Sequence, residues 1–289
     1  LLHPRPSRSR RLLLHPRPLS LPTTRRPRLP GPRPHPPPPP PRPRPPPPRP
    51  SRPAASRAPS RRSPRTPPAG AAGALFSPDG TQLVFTSSVY PDCPDDNCNR
   101  DRLEAEKQSK VKARIYTTLL YRHWTEWQSK RRSHLLVVSA EGGAAKDLTP
   151  GNNDVPPFSL GGADDYAISP DSTQLCYVMN SDPVAAISTN TDLYTVALTG
   201  GESKKVTSNP GADNAPQYSP DGKFIAYRTQ ERAGYESDLW RLAMLDVATN
   251  STSIVAPSLD RSVASFTWSP DSARLFFTME DRGRHVLSI

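Results

Sequence analysis

The first seventy residues lack negative charge altogether. They contain no Asp, Glu or Lys, but 17 Arg and 26 of the chain's 39 Pro. Proline fixes φ and removes a backbone donor, which excludes helix and central strand. The composition predicts a disordered Pro/Arg-rich tail over residues 1–74 that favours polyproline II. The tail can be a ligand of SH3-type grooves, a basic arm, or a segment with no selected function, and we favour the last.

Long apolar runs are also missing, so no membrane segment is predicted. Without the tail, the chain has 21 basic and 27 acidic residues, so the net charge of +11 belongs to the front and predicts no nucleic-acid partner.

Cysteine is scarce, with three residues in 289. Cys93 and Cys98 form either a disulfide or two free thiols; no second pair completes a zinc site, so no metal and no cofactor are predicted. A disulfide implies an oxidising compartment, and a periplasmic or secreted location is favoured slightly over a cytoplasmic one. Cys176, in "LCYV", is predicted to be a small buried hydrophobe.

One phrase is present four times: "FSPDG", "ISPDS", "YSPDG" and "WSPDS". The last three copies are 50 residues apart, and 92 residues separate the first two, so the first unit carries an insertion. Each phrase precedes a short apolar run, and each complete unit continues with an alternating strand, a turn and another short strand. Four short strands per unit of about 50 residues are typical of a β-propeller blade.

The pattern therefore predicts an all-β fold, a partial β-propeller of about three and a half four-stranded blades over 75–289. The expected blades are 75–165, 166–215, 216–265 and an incomplete 266–289. Proline sets the first corner of each turn, and aspartate bonds the backbone that follows. We therefore interpret the four aspartates as structural turn residues rather than acid–base groups: Asp79, Asp171, Asp221 and Asp271.

The insertion in the first blade shows apolar residues at three- and four-residue steps, which predicts a helix over 100–130. The stretch "RHWTEW" has two interpretations. Either Trp124 and Trp127 pack an amphipathic helix onto the propeller, or Arg122 or Glu126 faces a substrate. The first interpretation is favoured, because aromatic residues at helical spacing usually serve packing.

The "SPDG" blades, "YRHWTEW" followed by "RRSHLLVV", and "RTQERAGYESDLWRLAMLD" together resemble the propeller part of prolyl oligopeptidase-family serine peptidases. The bacterial dipeptidyl and acylaminoacyl peptidases are the most similar branch. The resemblance implies a propeller that gates the access of short peptides to a C-terminal α/β-hydrolase domain carrying a Ser-Asp-His triad. No G-x-S-x-G elbow occurs here, so no catalytic residue is assigned and this chain alone is predicted to be inactive.

The resemblance also implies an anionic group for the α-amine of a dipeptide substrate, because a desolvated ammonium needs a partner. Glu236 and Glu126 are the candidates. For Glu236, beside Arg232 and Tyr235, a surface ion pair is the simpler interpretation. The alternative function is a stand-alone periplasmic propeller of the Tol type, acting through protein contacts.

Overall fold

The computed structural model describes residues 67–159 and 161–289. The chain divides into two units, Leu1–Ser56 and Arg57–Ile289, and the first lies outside the described residues. The prediction of a disordered tail therefore falls outside the described range for residues 1–66. Its expected end at residue 74 was wrong, because a strand already begins at Ala72.

The described strands form four antiparallel sheets, which are the blades of a partial β-propeller. Blade 1 contains β1 (Ala72–Phe76), β2 (Gln82–Val89), β5 (Arg132–Ser139) and β6 (Lys146–Asp147), and its insertion adds a hairpin of β3 (Arg122–His123) and β4 (Glu126–Trp127). Blade 2 contains β7 (Tyr166–Ile168), β8 (Gln174–Met179), β9 (Asp192–Ala197) and β10 (Lys204–Lys205).

Blades 3 and 4 repeat this arrangement. Blade 3 contains β11 (Asp213–Tyr218), β12 (Phe224–Thr229), β13 (Arg241–Asp246) and β14 (Thr252–Val255), and blade 4 contains β15 (Val263–Trp268), β16 (Leu275–Asp281) and β17 (Arg284–Ser288). Strands β11 and β15 each begin three residues before the blade boundary expected from the sequence. In both blades the Ser-Pro-Asp turn follows the first strand directly.

Buried side chains on the two faces of each middle strand pack against different neighbours. In β8, Leu175 and Tyr177 face blade 1, whereas Cys176 and Val178 face blade 3. The same alternation continues in blade 3, where Ala226 packs towards blade 4. A strand covered on both faces reads as a continuous apolar run, which explains "LCYV" and its equivalents. Cys176 is fully buried, and burial raises the pKa of its thiol.

The four Ser-Pro-Asp turns have one hydrogen-bond plan. In the third turn, the Ser219 hydroxyl donates to Asp221 Oδ1 at 2.7 Å and accepts from the N–H of Phe224 at 3.0 Å. The Lys223 N–H also donates to Asp221 Oδ1, at 3.2 Å. The fourth turn residue has a positive φ, from 59° to 73°, at Gly80, Ser172, Gly222 and Ser272. The aspartates thus close turns.

The expected helix over 100–130 is wrong in most of its length. The helix α1 spans Asp96–Gln108, and the rest of the insertion is irregular apart from the β3–β4 hairpin. Trp124 sits at the tip of this hairpin with φ 48° and is 81% exposed, and Trp127 is 47% exposed. The two tryptophans therefore do not dock a helix onto the core. No helix among the described residues is long and apolar enough to cross a membrane.

Candidate functional site

The strands within each blade are antiparallel, so successive connections lie at opposite ends of the sheet, short ones at one end and long ones at the other. The Ser-Pro-Asp turns and the connections between third and fourth strands lie at one end of the sheets. The connections between second and third strands lie at the other end, where they span residues 90–131, 180–191 and 230–240 in blades 1, 2 and 3. We call this second end the long-loop face. Loops held by a rigid scaffold are the usual carriers of binding residues, so the candidate site lies here.

The insertion of blade 1 begins with a cross-linked turn. Cys93 and Cys98 form a disulfide, with their Cα atoms 5.4 Å apart. The side chain of Asp95 caps α1 by accepting from the Cys98 N–H at 2.8 Å. Asn99, which is buried, accepts from the Tyr90 N–H at 2.8 Å and so ties the first turn of α1 to the end of β2. The cap and the disulfide together fix where the helix starts.

The hairpin of the insertion carries an aromatic cluster made of Tyr116, Tyr121 and Trp127. Their ring centroids are 5.3 to 6.0 Å apart. The guanidinium of Arg122 lies 5.5 Å from the Trp127 ring centroid, so Arg122 stacks on the cluster. Glu126 is exposed on the next strand of the hairpin and is available to a ligand at the surface.

In blade 3, a buried glutamine holds the tip of the loop of residues 230–240 in place. The side chain of Gln230, 2% exposed, donates to the carbonyls of Glu236 at 3.1 Å and Asp238 at 2.9 Å. Asp238 in turn accepts from the N–H groups of Glu231 and Arg232. The loop is therefore ordered from inside, and the carboxylate of Glu236 is presented to solvent.

The surface ion pair expected for Glu236 is absent from the described part of the chain. Arg232 pairs instead with Asp238, at 3.7 Å, and its guanidinium lies 5.5 Å from the Tyr235 ring centroid. Gln230 holds the backbone carbonyl of Glu236, and the Glu236 carboxylate forms no ion pair among the described residues. Glu126 belongs to a different blade. The structure does not bring the two predicted amine-binding residues into contact.

A cavity of about 430 Å³ separates the loops of blades 2 and 3. Its walls are mainly apolar, and its polar lining includes Asp182 and Asn190. Asp182 accepts hydrogen bonds from Ser188 and Asn190. The Gly234 N–H donates to Thr189 Oγ1 at 3.0 Å and joins the two loops at the rim. No local sequence pattern marks this cavity, because it depends on two loops 45 residues apart.

A second cavity, about 350 Å³, is lined by the first strands of all four blades and by Arg228. The Arg228 guanidinium donates to Asn214 Oδ1 at 3.1 Å and to the Ala264 carbonyl at 2.9 Å. Burial lowers the pKa of Arg228, and the nearby Asp165 and Asp164 carboxylates partly oppose this shift. Nothing in the stretch "AYRTQ" distinguishes this arginine from a surface residue, so it could not be found from the sequence.

The described histidines do not form a nucleophile–base pair. His134 is 1% exposed; its Nδ1 contacts Asp147 Oδ2 at 2.6 Å and its Nε2 contacts the Gly151 carbonyl at 3.0 Å. Both ring nitrogens are therefore used in structure. His123 packs edge-on against Phe158, and His285 lies near Glu280 on the surface. In the described ranges, no group of three or more His, Cys, Asp or Glu could hold a metal ion.

Comparison with known proteins shows that this chain is similar to part of the dipeptidyl-peptidases 5. It is 34% identical over 224 residues to dipeptidyl-peptidase 5 of Porphyromonas gingivalis, a match that covers 72% of this chain and 30% of that protein. Dipeptidyl-peptidase 5 of Porphyromonas endodontalis is 34% identical over 188 residues, covering 62% and 26% of the two chains. The chain thus spans less than a third of the length of these curated relatives.

No family model matches the chain. Among solved structures, TolB from Acinetobacter baumannii matches 74% of this chain and 39% of that one, with 16% identity and a TM-score of 0.44. The dipeptidyl-peptidase matches confirm the resemblance inferred from the blade motifs. The chain forms a partial propeller and is similar in sequence to part of the dipeptidyl-peptidases 5.

Proposed function

We propose that this propeller gates the access of short peptides to the active site of a serine peptidase of dipeptidyl or acylaminoacyl type. The observation that carries the proposal is the 34% identity to a dipeptidyl-peptidase 5 over 224 residues. In this proposal an α/β-hydrolase domain is the partner that supplies nucleophile, base and oxyanion hole, and the propeller selects what reaches them. The disulfide at Cys93 and Cys98 supports a periplasmic or secreted location.

Within this function, Glu236 recognises the free α-amine of the peptide, and Glu126 is the second candidate for that role. The anchoring of the loop backbone by Gln230 supports Glu236, because an ordered loop loses less conformational freedom on binding than a mobile one. An ammonium that leaves water keeps a favourable energy only when a carboxylate or several acceptors replace its hydration.

The test is to compare the binding of a free-amine dipeptide and its N-acetyl derivative to the full chain by calorimetry or NMR. We expect the free amine to bind at least about 5-fold more tightly, and Glu236→Gln to remove the difference. Glu126→Gln tests the second candidate in the same way. The matched control is Glu202→Gln, since Glu202 is exposed on the turn between β9 and β10, at the opposite end of the sheets.

Equal binding of both peptides by the unchanged chain would refute the amine-recognition part. Activity is tested separately, by measuring dipeptide release from a chromogenic substrate with this chain and with a form extended through the region that the relatives share. We expect release only from the extended form. A protein ligand that binds the chain tightly, with no effect of free-amine peptides, would instead support the alternative of a stand-alone binding propeller.

A further inference from the structure

One residue breaks a repeated pattern at the junctions between blades. At each junction, a buried residue that follows the last strand of one blade donates its N–H to a carbonyl at or just before the start of that blade's third strand. These bonds are Val155 to Ser133 at 2.7 Å, Asp213 to Thr191 at 2.8 Å and Val263 to Trp240 at 2.9 Å. The two valines are each 1% exposed, and Asp213 is 0% exposed. An aspartate therefore occupies a core position that is valine at both equivalent junctions.

Asp213 has another buried carboxylate beside it. Thr191 and Ala212 form a parallel bridge, and Asp192 and Asp213 are the next residues on the two strands. Side chains in register on neighbouring parallel strands project to the same side, so the two carboxyl groups are adjacent. Asp192 is also 0% exposed.

The two carboxyl groups are incompletely satisfied. Lys205 Nζ lies 2.6 Å from Asp192 Oδ2, and Asn190 donates to the same oxygen at 3.4 Å. Among the described residues, Asp192 Oδ1 and both oxygens of Asp213 have no partner at full hydrogen-bond geometry, although the Thr229 and Thr207 hydroxyls lie close enough to lower the pKa of Asp213. Three unpaired oxygens on adjacent buried acids would be very costly if both groups were ionised, because desolvation and mutual repulsion add.

We propose that Asp192 and Asp213 share one proton, which holds blades 2 and 3 together and whose loss loosens this junction. The proton resides on Asp213, which donates to Asp192 Oδ1, while Lys205 keeps Asp192 ionised. A single proton thereby provides partners for an oxygen on each residue.

The electrostatic surroundings agree with this assignment. Burial raises the pKa of Asp213 to about 7, an effect that the Thr229 and Thr207 hydroxyls partly oppose and that Asp192 increases. Burial likewise raises the pKa of Asp192, against the opposing Lys205. The charged or titratable groups that face the pair from the packed elements are Asp182, Lys205 and Tyr227.

The direction of the pH effect follows from the two states of Asp213. Its pKa is about 7 when folded, against an ordinary value of 3.8. Between these values the folded chain binds more protons than the unfolded chain, so this group's contribution to stability is full at low pH and is lost as the pH rises to about 7. Above that pH the contribution stays lost, and both carboxylates are charged.

The experiment compares the full chain with Asp213→Asn, which keeps a donor at the same place but cannot ionise. We expect the Tm of the unchanged chain, relative to Asp213→Asn, to fall by roughly 4 °C or more between about pH 5 and about pH 8. Hydrogen exchange of the peptide 189–213 should rise over the same range in the unchanged chain only. The control is Asp260→Asn, because Asp260 is an exposed aspartate outside this junction.

A direct readout needs no variant. The ¹³C shift of the Asp213 carboxyl group in the unchanged chain should titrate with an apparent pKa near 7. A carboxyl that is already ionised at about pH 5, or an Asp213→Asn chain with the same pH profile as the unchanged chain, would overturn the proposal. So would a junction whose exchange rate responds to added calcium or to a chelator, because a cation rather than a proton would then satisfy the oxygens.

Discussion

The hydroxyl of Ser172 accepts a hydrogen bond from the backbone N–H of Asp79 at 3.1 Å, across the junction of blades 1 and 2. Ser272 accepts from the N–H of Asp221 in the same way at 3.0 Å, across the junction of blades 3 and 4. At the junction of blades 2 and 3 the equivalent residue is Gly222, which has no hydroxyl. In "SPDS" the last serine therefore accepts a hydrogen bond from the preceding blade, whereas the glycine of "SPDG" at Gly222 cannot.

Ser272→Ala should lower the free energy of unfolding by about 1 kcal/mol, because it removes this hydrogen bond. Alanine, unlike glycine, gives no relief at the positive φ of 59°. Ser272→Gly should be close to neutral, because the lost bond is offset by relief at the positive φ. Urea unfolding of both variants measures the difference. Equal destabilisation by Ala and Gly would show that backbone strain has no part in the effect.

The sequence predicts the parts of the fold whose pattern is repeated, and it fails for the insertion, which occurs once. The blade pattern is visible because the same turn plan occurs four times, and each copy confirms the others. The insertion occurs once, and its periodic residues predict a helix that ends at Gln108 in the structure. Val111, Ile115 and Leu119 have helical spacing, yet they are 74%, 89% and 65% exposed. Helical periodicity stabilises a helix only where its apolar face is buried, and here it is not.

The candidate site shows the same limit. Glu236 could be singled out from its neighbours in "RAGYESD", but its anchoring by Gln230 could not. Arg228 and the acid pair of Asp192 and Asp213 carry no local signal at all, because their roles arise from strands that are distant in sequence. The repeat itself offers one clue: Asp213 stands 50 residues before Val263, so an acid occupies a position that is valine in the next blade.

Gln230→Ala should weaken peptide recognition, although the Gln230 side chain contacts the loop backbone and not the peptide. Its amide holds the carbonyls of Glu236 and Asp238, so its removal leaves two acceptors without their donor and frees the loop. We expect a loss of about 1–3 kcal/mol in the free energy of unfolding and a reduced preference for free-amine dipeptides. Denaturant unfolding and peptide calorimetry provide the two readouts. If the variant is destabilised but keeps its preference for free-amine dipeptides, the order of this loop does not contribute to recognition.

Reduction of the disulfide should have a local effect. The bridge between Cys93 and Cys98 closes a short segment at the start of α1, outside the strands of blade 1. The double variant Cys93→Ser/Cys98→Ser should therefore increase hydrogen exchange over residues 93–108 and leave the exchange of β2 and β5 unchanged. Alkylation followed by mass mapping verifies the bridge in the unchanged chain. Increased exchange throughout blade 1 would contradict a purely local role.

The turn aspartates should contribute to resistance against acid. The hydrogen bond from Ser219 is the main cause that lowers the pKa of Asp221 to about 2, from an ordinary value of 3.8. Because the folded pKa is the lower one, the stabilisation is present above about pH 4 and is lost as the pH falls towards 2.

Asp221→Asn keeps an acceptor oxygen but cannot titrate, so its unfolding should depend less on pH in this window than that of the unchanged chain. Circular dichroism during acid titration measures both curves, and Asp260→Asn is the control, since Asp260 is an exposed aspartate outside the turns. If Asp221→Asn and Asp260→Asn shift the acid transition equally, the turn hydrogen bonds do not set the acid sensitivity of the fold.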